Sequence, residues 1–318
     1  MATDRLSQKR ASLLADVAEM YYLEGRGQSY IALEVGVTRS MVSRMLSEAR
    51  RQGIVEIKIN RPIHSNHELE NAIKSKFGID SVFVYSMEDS KPGKMLPNLG
   101  RAAAEVLKNH LRPDLVIGVA WGTAVSATVD AVQAMKEPSM KIVQLVGAQG
   151  ARIDDYDGHS IVKRLAEKLG GQGYFINAPY LCQTPEIAHS LRETRGIKET
   201  IDMAGEVQVA LLGIGTTEPE YSSLVLSGLL TEDEVVKMRK NGVVGDIASN
   251  YFTIEGAHYK DAFLERMIAI SLKDLQRIPV RLGVAGGAAK VHAIIGALNS
   301  KLINYLVTDS ITARSLLR

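Results

Sequence analysis

Apolar positions at Leu13, Leu14, Val17, Ala18 and Tyr21 recur at three- and four-residue steps, which predicts a helix with one buried face over Leu6–Leu23. Gly25 and Gly27 stop it. A second short helix is predicted over Gln28–Val35, broken by Gly36, and a third from Thr38, a natural N-cap, to Gln52. After Gly53, residues Ile54–Ile59 alternate apolar with charged, the period of a short strand, and Arg61-Pro62-Ile63-His64-Ser65-Asn66 reads as a linker.

Beyond the linker the pattern becomes strand-then-helix units. It predicts helix His67–Phe77, strand Ser81–Tyr85, helix Leu96–His110, strand Leu115–Ala120, helix Thr123–Lys136 and strand Lys141–Val146. Helix His159–Leu169, strands Tyr174–Asn177 and Val207–Ile214, and helix Glu232–Lys240 follow. Strand Val280–Ala285, helix Ala288–Leu298, strand Ile303–Val307 and helix Ser310–Leu317 complete the series. Wholly apolar strands alternating with helices predict a parallel sheet covered on both faces, with ligands taken beyond the carboxyl ends of the strands. The predicted class is α/β: a three-helix module over 1–60, then a larger Rossmann-like domain over 61–318.

Charge sharpens this division. Residues 1–61 carry ten Lys and Arg against seven Asp and Glu, whereas the remainder carries 28 against 29. Arg39, Arg44, Arg50, Arg51 and Lys58 cluster near the third helix, which suits a phosphate backbone. Cys182 is the lone cysteine, so an intrachain disulfide and a cysteine-based metal cluster are excluded. The polar, mixed-charge N-terminus and the want of a long apolar run predict a cytoplasmic protein with no membrane span. No metal or cofactor is expected.

The stretch Gln28–Ser47 meets several requirements of a helix-turn-helix at once. Ala32 is small where two helices cross, Gly36 sits where the turn needs φ > 0, and Ile31, Val35, Val37, Val42 and Met45 supply the buried triangle. Thr38, Arg39, Ser40, Ser43 and Arg44 then face the major groove, while Gln28 and Ser29 approach phosphates.

In the larger domain two glycine-bearing turns, Gly118-Val-Ala-Trp121-Gly122-Thr123-Ala-Val-Ser126 and Gly283-Val-Ala-Gly286-Gly287-Ala-Ala-Lys290, each follow an apolar strand and open a helix. Such turns present amide N–H groups to an anion, with Lys290 as a compensating charge, and phosphate is the obvious candidate. Glycine there equally permits close strand–helix packing. Trp121 suits either stacking on a sugar ring or core packing. Arg152 and His159 flank an acidic run, Asp154–Asp157, that fits a solvated loop better than a cleft wall.

With these motifs in this order, the chain resembles the SorC-type family of sugar-binding bacterial transcriptional regulators over nearly its whole length. The resemblance is carried by Gln28, Ile31-Ala32, Val42-Ser43-Arg44 and Gly53-Ile54-Val55, then Leu99-Gly100-Arg101-Ala102-Ala103, then Gly118 with Trp121-Gly122-Thr123. Leu226-Ser227-Gly228, Val244-Gly245-Asp246-Ile247, Ser271-Leu272 with Leu275 and Ile278-Pro279, Ala285-Gly286-Gly287 with Lys290, and Leu306-Val307-Thr308-Asp309 extend it. The resemblance implies an effector domain related in fold to sugar-phosphate isomerases and deaminases, no catalysis, and dimers or tetramers that bind operator DNA. It implies that Gly122, Thr123 and Lys290 hold a phosphate with Ala148-Gln149 nearby, and that Asp246 accepts sugar hydroxyls. One departure is Ala124, where phosphate binders of the family often carry a second hydroxyl residue; either Ser126 substitutes, or the ligand is a less phosphorylated sugar or a sugar alcohol. The competing readings are a sugar-phosphate isomerase or deaminase, for which Asp246 has no evident catalytic partner, and a constitutive DNA-binding protein with a degenerate ligand domain.

Overall fold

The computed structural model describes residues 2–57, 64–86, 95–149 and 155–318, the side chains of residues 2–8 excepted. The chain divides into two compact units, Met1–Pro62 and Ile63–Arg318.

The first unit holds α1 (Ala2–Tyr22), α2 (Gln28–Val35) and α3 (Arg39–Arg51). Leu14, Val17 and Ala18 of α1 pack with Ile31 and Ala32 of α2 and with Val42, Met45, Leu46 and Ala49 of α3, all buried. Val35 and Val37 are only partly buried against this core. Gly36 closes α2 in the left-handed region, φ 71°, and Thr38 caps α3 by accepting the Met41 amide at 3.3 Å. The expected strand at Ile54–Ile59 is not found over its described part: the amides of Ile54 and Val55 both turn back to the Ala49 carbonyl and terminate α3, and both side chains join the helical core. Lys58 and Ile59 lie outside the described residues, as do 61–63 of the linker. The rest of that linker belongs to the second unit, where Asn66 donates its amide to Val84 and caps the next helix.

That unit runs α4 (His67–Phe77), β1 (Ser81–Tyr85), α5 (Met95–Lys108), β2 (Val116–Val119), α6 (Thr123–Ala131), β3 (Lys141–Gln144), α7 (Gly158–Leu169) and β4 (Gln172–Tyr174). It continues α8 (Pro185–Glu193), α9 (Arg195–Ala204), β5 (Val209–Gly213), β6 (Gly215–Thr216), α10 (Ser223–Leu226), α11 (Glu232–Lys240), β7 (Val243–Ile247) and β8 (Asn250–Thr253). The last elements are α12 (Leu272–Arg277), β9 (Val280–Val284), α13 (Val291–Asn299), β10 (Tyr305–Asp309) and α14 (Ser310–Leu316).

Seven strands form a parallel sheet in the order β1-β10-β9-β5-β2-β3-β4. One face carries α5, α6 and α7 through Leu99, Leu107, Val125, Val129, Ile161 and Leu165. The other carries α4, α13 and α14 through Ile73, Ile294, Ala297 and Leu316. From β2 the chain winds outward through β3 and β4, and then returns to place β5 on the other side of β2. That reversal is the switch point where open parallel sheets leave a crevice at the strand ends. A second sheet of three short antiparallel strands, β6-β7-β8, has no counterpart in the strand-helix alternation. Among the described residues no helix is long and apolar enough to cross a membrane.

Boundaries shift where an end is set by tertiary contacts. α6 stops at Ala131, five residues before the expected Lys136, and the strand expected at Ile303–Val307 is Tyr305–Asp309, in register with β1. The expected strand Tyr174–Asn177 is Gln172–Tyr174, and the expected helix from Ala288 begins as a short 3-10 turn over Ala288–Lys290.

Candidate functional site

Two surfaces, one in each unit, carry chemistry. On the first unit, Ser29, Thr38, Arg39, Ser40, Ser43 and Arg44 are exposed, and Gln28 is half-buried. The N-cap at Thr38 fixes where α3 begins, and the Thr38 and Ser40 hydroxyls lie 3.0 Å apart at its first turn. Arg10 of α1 pairs with Glu48 of α3 at 2.7 Å and holds that carboxyl below its ordinary value. Among the described residues Arg39 and Arg44 enter no ion pair. The outward face of α3 is therefore a short basic and hydroxylated surface on a braced helix.

In the second unit the carboxyl ends of β2, β5 and β9 open on a cavity of about 490 Å³. The structure brings seven of the expected residues to its wall: Trp121, Gly122, Thr123, Asp246, Gly286, Gly287 and Lys290. Gly122 is the N-cap of α6, at φ 120° and without a side chain to satisfy the helix's first amides; Ser126 N–H returns to the Gly122 carbonyl, while those of Thr123 and Ala124 begin the helix at the cavity. Trp121 lies edge-on to buried Tyr180, ring centroids 6.3 Å apart, so it both packs and faces the cavity.

Asp246 comes from β7, in the small sheet. Its place depends on Gly215, its partner across β6: a Cβ at Gly215 would lie 1.9 Å from Asp246 Oδ1. Burial pushes the Asp246 carboxyl up to about 6, against the pull of the Lys290 charge and the Ser249 amide. Burial likewise lowers Lys290 to about 8, opposed by Asp246. The Lys290 ammonium donates to the Ile214 carbonyl at 2.7 Å. Behind this pair the hydroxyls of Tyr180 and Tyr251 stand 3.4 Å apart, both held above the ordinary phenol range by burial, with the Asp246 charge adding to it. Two opposite charges thus share a poorly hydrated pocket floor without closing an ion pair among the described residues. Each is costly where it stands, a common mark of a functional site.

Three expected residues are placed elsewhere. Gly118 is inside β2, where a side chain would strike Leu145 and Val207, so its role there is sheet packing. Ser126 is buried in α6 and donates to the Asp155 carbonyl at 2.9 Å, with Arg164 on the same hydroxyl, which leaves it holding a loop rather than facing the cavity. Gln149 does not line the cavity, and among the described residues its buried Nε2 has no hydrogen-bond partner. His159 stacks on Phe175, centroids 5.3 Å apart, and Arg152 lies outside the described residues.

Several wall residues escape sequence reasoning. Met95, Leu96 and Leu99 of α5, and Glu220, Tyr221, Ser222 and Leu224 from the segment after β6, complete the cavity. Asp309, at the end of β10, is a further organiser. Its carboxylate accepts the amides of Ile311 and Thr312, capping α14, and also the amide of Gly287 at 3.1 Å. The readable signal was an acidic residue directly between an apolar strand and a helix.

A helix-turn-helix module with an exposed basic face, joined in one chain to a domain with a ligand-sized, partly charged cleft at its strand ends, is the arrangement of transcriptional regulators controlled by a small molecule. The family model described as "Putative sugar-binding domain" matches residues 61–318, and the chain belongs to that family. Over 308 residues it is 28% identical to the sorbitol operon regulator of Klebsiella pneumoniae, covering 96% of this chain and 98% of that one. Over 312 residues it is 28% identical to the deoxyribonucleoside regulator of Bacillus subtilis, covering 98% and 99%. The crystal structure of the full-length sorbitol operon regulator SorC from Klebsiella pneumoniae superposes with a TM-score of 0.75 over 96% of this chain and 98% of that one, at 28% identity. The chain is thus a transcriptional regulator with a sugar-binding domain, and these likenesses support that reading over the isomerase or deaminase alternative.

Proposed function

We propose that the protein binds operator DNA of a carbohydrate-utilisation operon through α3, as a homodimer or homotetramer in the cytoplasm. Its DNA affinity is set by a sugar, sugar alcohol or sugar phosphate in the cavity at the ends of β2, β5 and β9. The observation that carries this is the Asp246–Lys290 floor of a cavity at the sheet's switch point, in a chain whose other unit presents Arg39, Ser40, Ser43 and Arg44 outward. A single α3 reads only a half-site, so a two-fold operator calls for at least a dimer. Thr123 and the α6 amides face one end of the ligand, Asp246 accepts its hydroxyls, Lys290 neutralises the floor, and Trp121 flanks it. The ligand acts by binding two arrangements of the oligomer unequally, which shifts the DNA-competent population.

The test is DNA binding by full-length protein, followed by fluorescence anisotropy on its own upstream region at physiological salt. The expected result is specific binding that Arg44→Ala weakens by about 1–3 kcal/mol, roughly 5- to 150-fold. Affinity no higher than for random DNA, in wild type and variant alike, refutes the DNA-binding half of the proposal.

A further inference from the structure

Resting on that sugar-sensing reading, we infer that Ser222, which no sequence motif singles out, is a specificity-determining residue whose hydroxyl hydrogen-bonds one particular hydroxyl of the ligand. Ser222 is 1% exposed and belongs to the cavity wall, at the entry to α10. Its Oγ is shut off from water and, among the described residues, has no hydrogen-bond partner. Of the buried side-chain atoms in that condition, it alone comes from a residue of this wall.

Nothing in the fold accounts for the unpaired oxygen. Ser222 is the N-cap of α10, where a serine oxygen ordinarily accepts an amide of the first turn, yet its side chain makes no capping bond. The turn is held by the main chain instead, the Ser222 carbonyl accepting the amides of Val225 and Leu226 at 3.1 and 2.9 Å. Just before it in the chain, the buried hydroxyls of Thr216 and Thr217 are both engaged, donating to the carbonyls of Ala289 and Val243 at 3.2 and 2.8 Å. A hydroxyl with neither water, cap nor carbonyl is a net cost to the ligand-free fold, where an alanine would carry none. Serine turns about a single side-chain bond between staggered positions, and a ligand in the cavity supplies the partner that the protein withholds. The Ser222 oxygen both donates and accepts, which suits it to another hydroxyl. A site with a polar group reserved in this way discriminates against an analogue that lacks the matching hydroxyl.

The experiment is titration calorimetry of the full-length protein with sorbitol, ribitol, erythritol, glucose and ribose, and with the terminal phosphate of each. The compound that the wild type binds most tightly is then titrated into Ser222→Ala and Ser222→Cys, the second of which keeps the volume without the strong hydrogen bond. Its single-deoxy analogues are titrated into all three proteins. The expected result is a loss of about 2- to 12-fold in both variants, the measure of one net hydrogen bond. Urea unfolding followed at Trp121 is expected to show Ser222→Ala at least as stable as the wild type. One deoxy analogue is expected to bind wild type and Ser222→Ala equally, because each lacks one half of the same bond. Affinity within about 1.5-fold of wild type in both variants, less than the weakest net hydrogen bond, overturns this inference and leaves the sugar-sensing reading standing. So does a destabilised Ser222→Ala, or a loss that every deoxy analogue shares equally. Silence of the whole panel in the wild type, together with DNA binding that no compound alters, overturns the sugar-sensing reading itself.

Discussion

Asp309 is expected to be the residue on which the second glycine turn depends. Its two carboxylate oxygens accept from the amides of Ile311 and Thr312 at 3.0 and 2.8 Å, from the Gly287 amide at 3.1 Å and from the Thr312 hydroxyl at 2.5 Å. Replacing it with alanine removes the N-cap of α14, worth about 0.5–2 kcal/mol, and leaves buried donors short of an acceptor, worth about 1–3 kcal/mol. The sum is a loss of about 1.5–5 kcal/mol, a large share of the roughly 5–15 kcal/mol that holds a domain together. Asp309→Asn keeps one oxygen for the α14 amides but turns an NH2 group toward the Gly287 amide and the Thr312 hydroxyl, so a smaller loss, about 1–3 kcal/mol, is expected. Urea unfolding followed by tryptophan fluorescence is the assay, because the single tryptophan, Trp121, lies on the cavity wall and reports on the second unit alone. An Asp309→Ala protein within about 0.5 kcal/mol of wild type, the range of an indifferent surface change, refutes the argument.

The other expectations concern the floor of the cavity and the turn before α3. The folded Asp246 carboxyl is raised from 3.8 to about 6, so its ionised form costs stability above pH 6, on the order of 3 kcal/mol, and this cost fades as pH falls through 6 and is gone below about 4. Asp246→Asn should therefore raise urea resistance at pH 7 and lose that advantage at pH 4; a variant equally or less stable at pH 7 contradicts the burial argument. Lys290 is lowered from 10.5 to about 8, so removing its charge as pH rises through 8 should relieve a similar strain, and Lys290→Met should flatten the pH dependence between 8 and 10. Gly215→Ala places a methyl 1.9 Å from Asp246 Oδ1 and should cost tenfold or more in ligand affinity by calorimetry, whereas unchanged affinity means that the carboxylate does not contact the ligand. Gly36→Val, at φ 71°, should destabilise the helix-turn-helix unit by about 1–2 kcal/mol, read as an earlier loss of helical circular dichroism, with the Trp121 transition unchanged.

Much of the fold was legible because its signals are local. Helices α4 and α11 and strand β1 fall where periodicity and caps put them, at His67–Phe77, Glu232–Lys240 and Ser81–Tyr85. Both glycine turns lie at the ends of apolar strands because a backbone that must turn sharply beside a sheet edge writes itself in glycine. What escaped was what only assembly creates. The β6-β7-β8 sheet is built from short strands of two to five residues, too brief for an alternation to register, yet it carries Asp246 to the floor. The direction of the Gly287 amide depends on Asp309, a residue 22 positions later in the chain, and no local pattern reports it. Ser126 has the right spacing from Gly122 to reach an anion, but Asp155 and Arg164 from other segments take its hydroxyl. Ile54–Ile57 alternates like a strand, but the Ala49 carbonyl is a nearer partner than any second strand.

The central claim is that occupancy of the Asp246–Lys290 cavity changes the affinity of the α3 surface for DNA. The most direct measurement is the dissociation constant of the full-length protein for its own upstream DNA at fixed salt, with and without the compound that calorimetry identifies. The account predicts a change of about 5- to 150-fold, the usual range of such coupling, that is abolished in Asp246→Asn while that variant's ligand-free DNA affinity stays as in wild type. A DNA affinity indifferent to a compound that demonstrably fills the cavity contradicts the account.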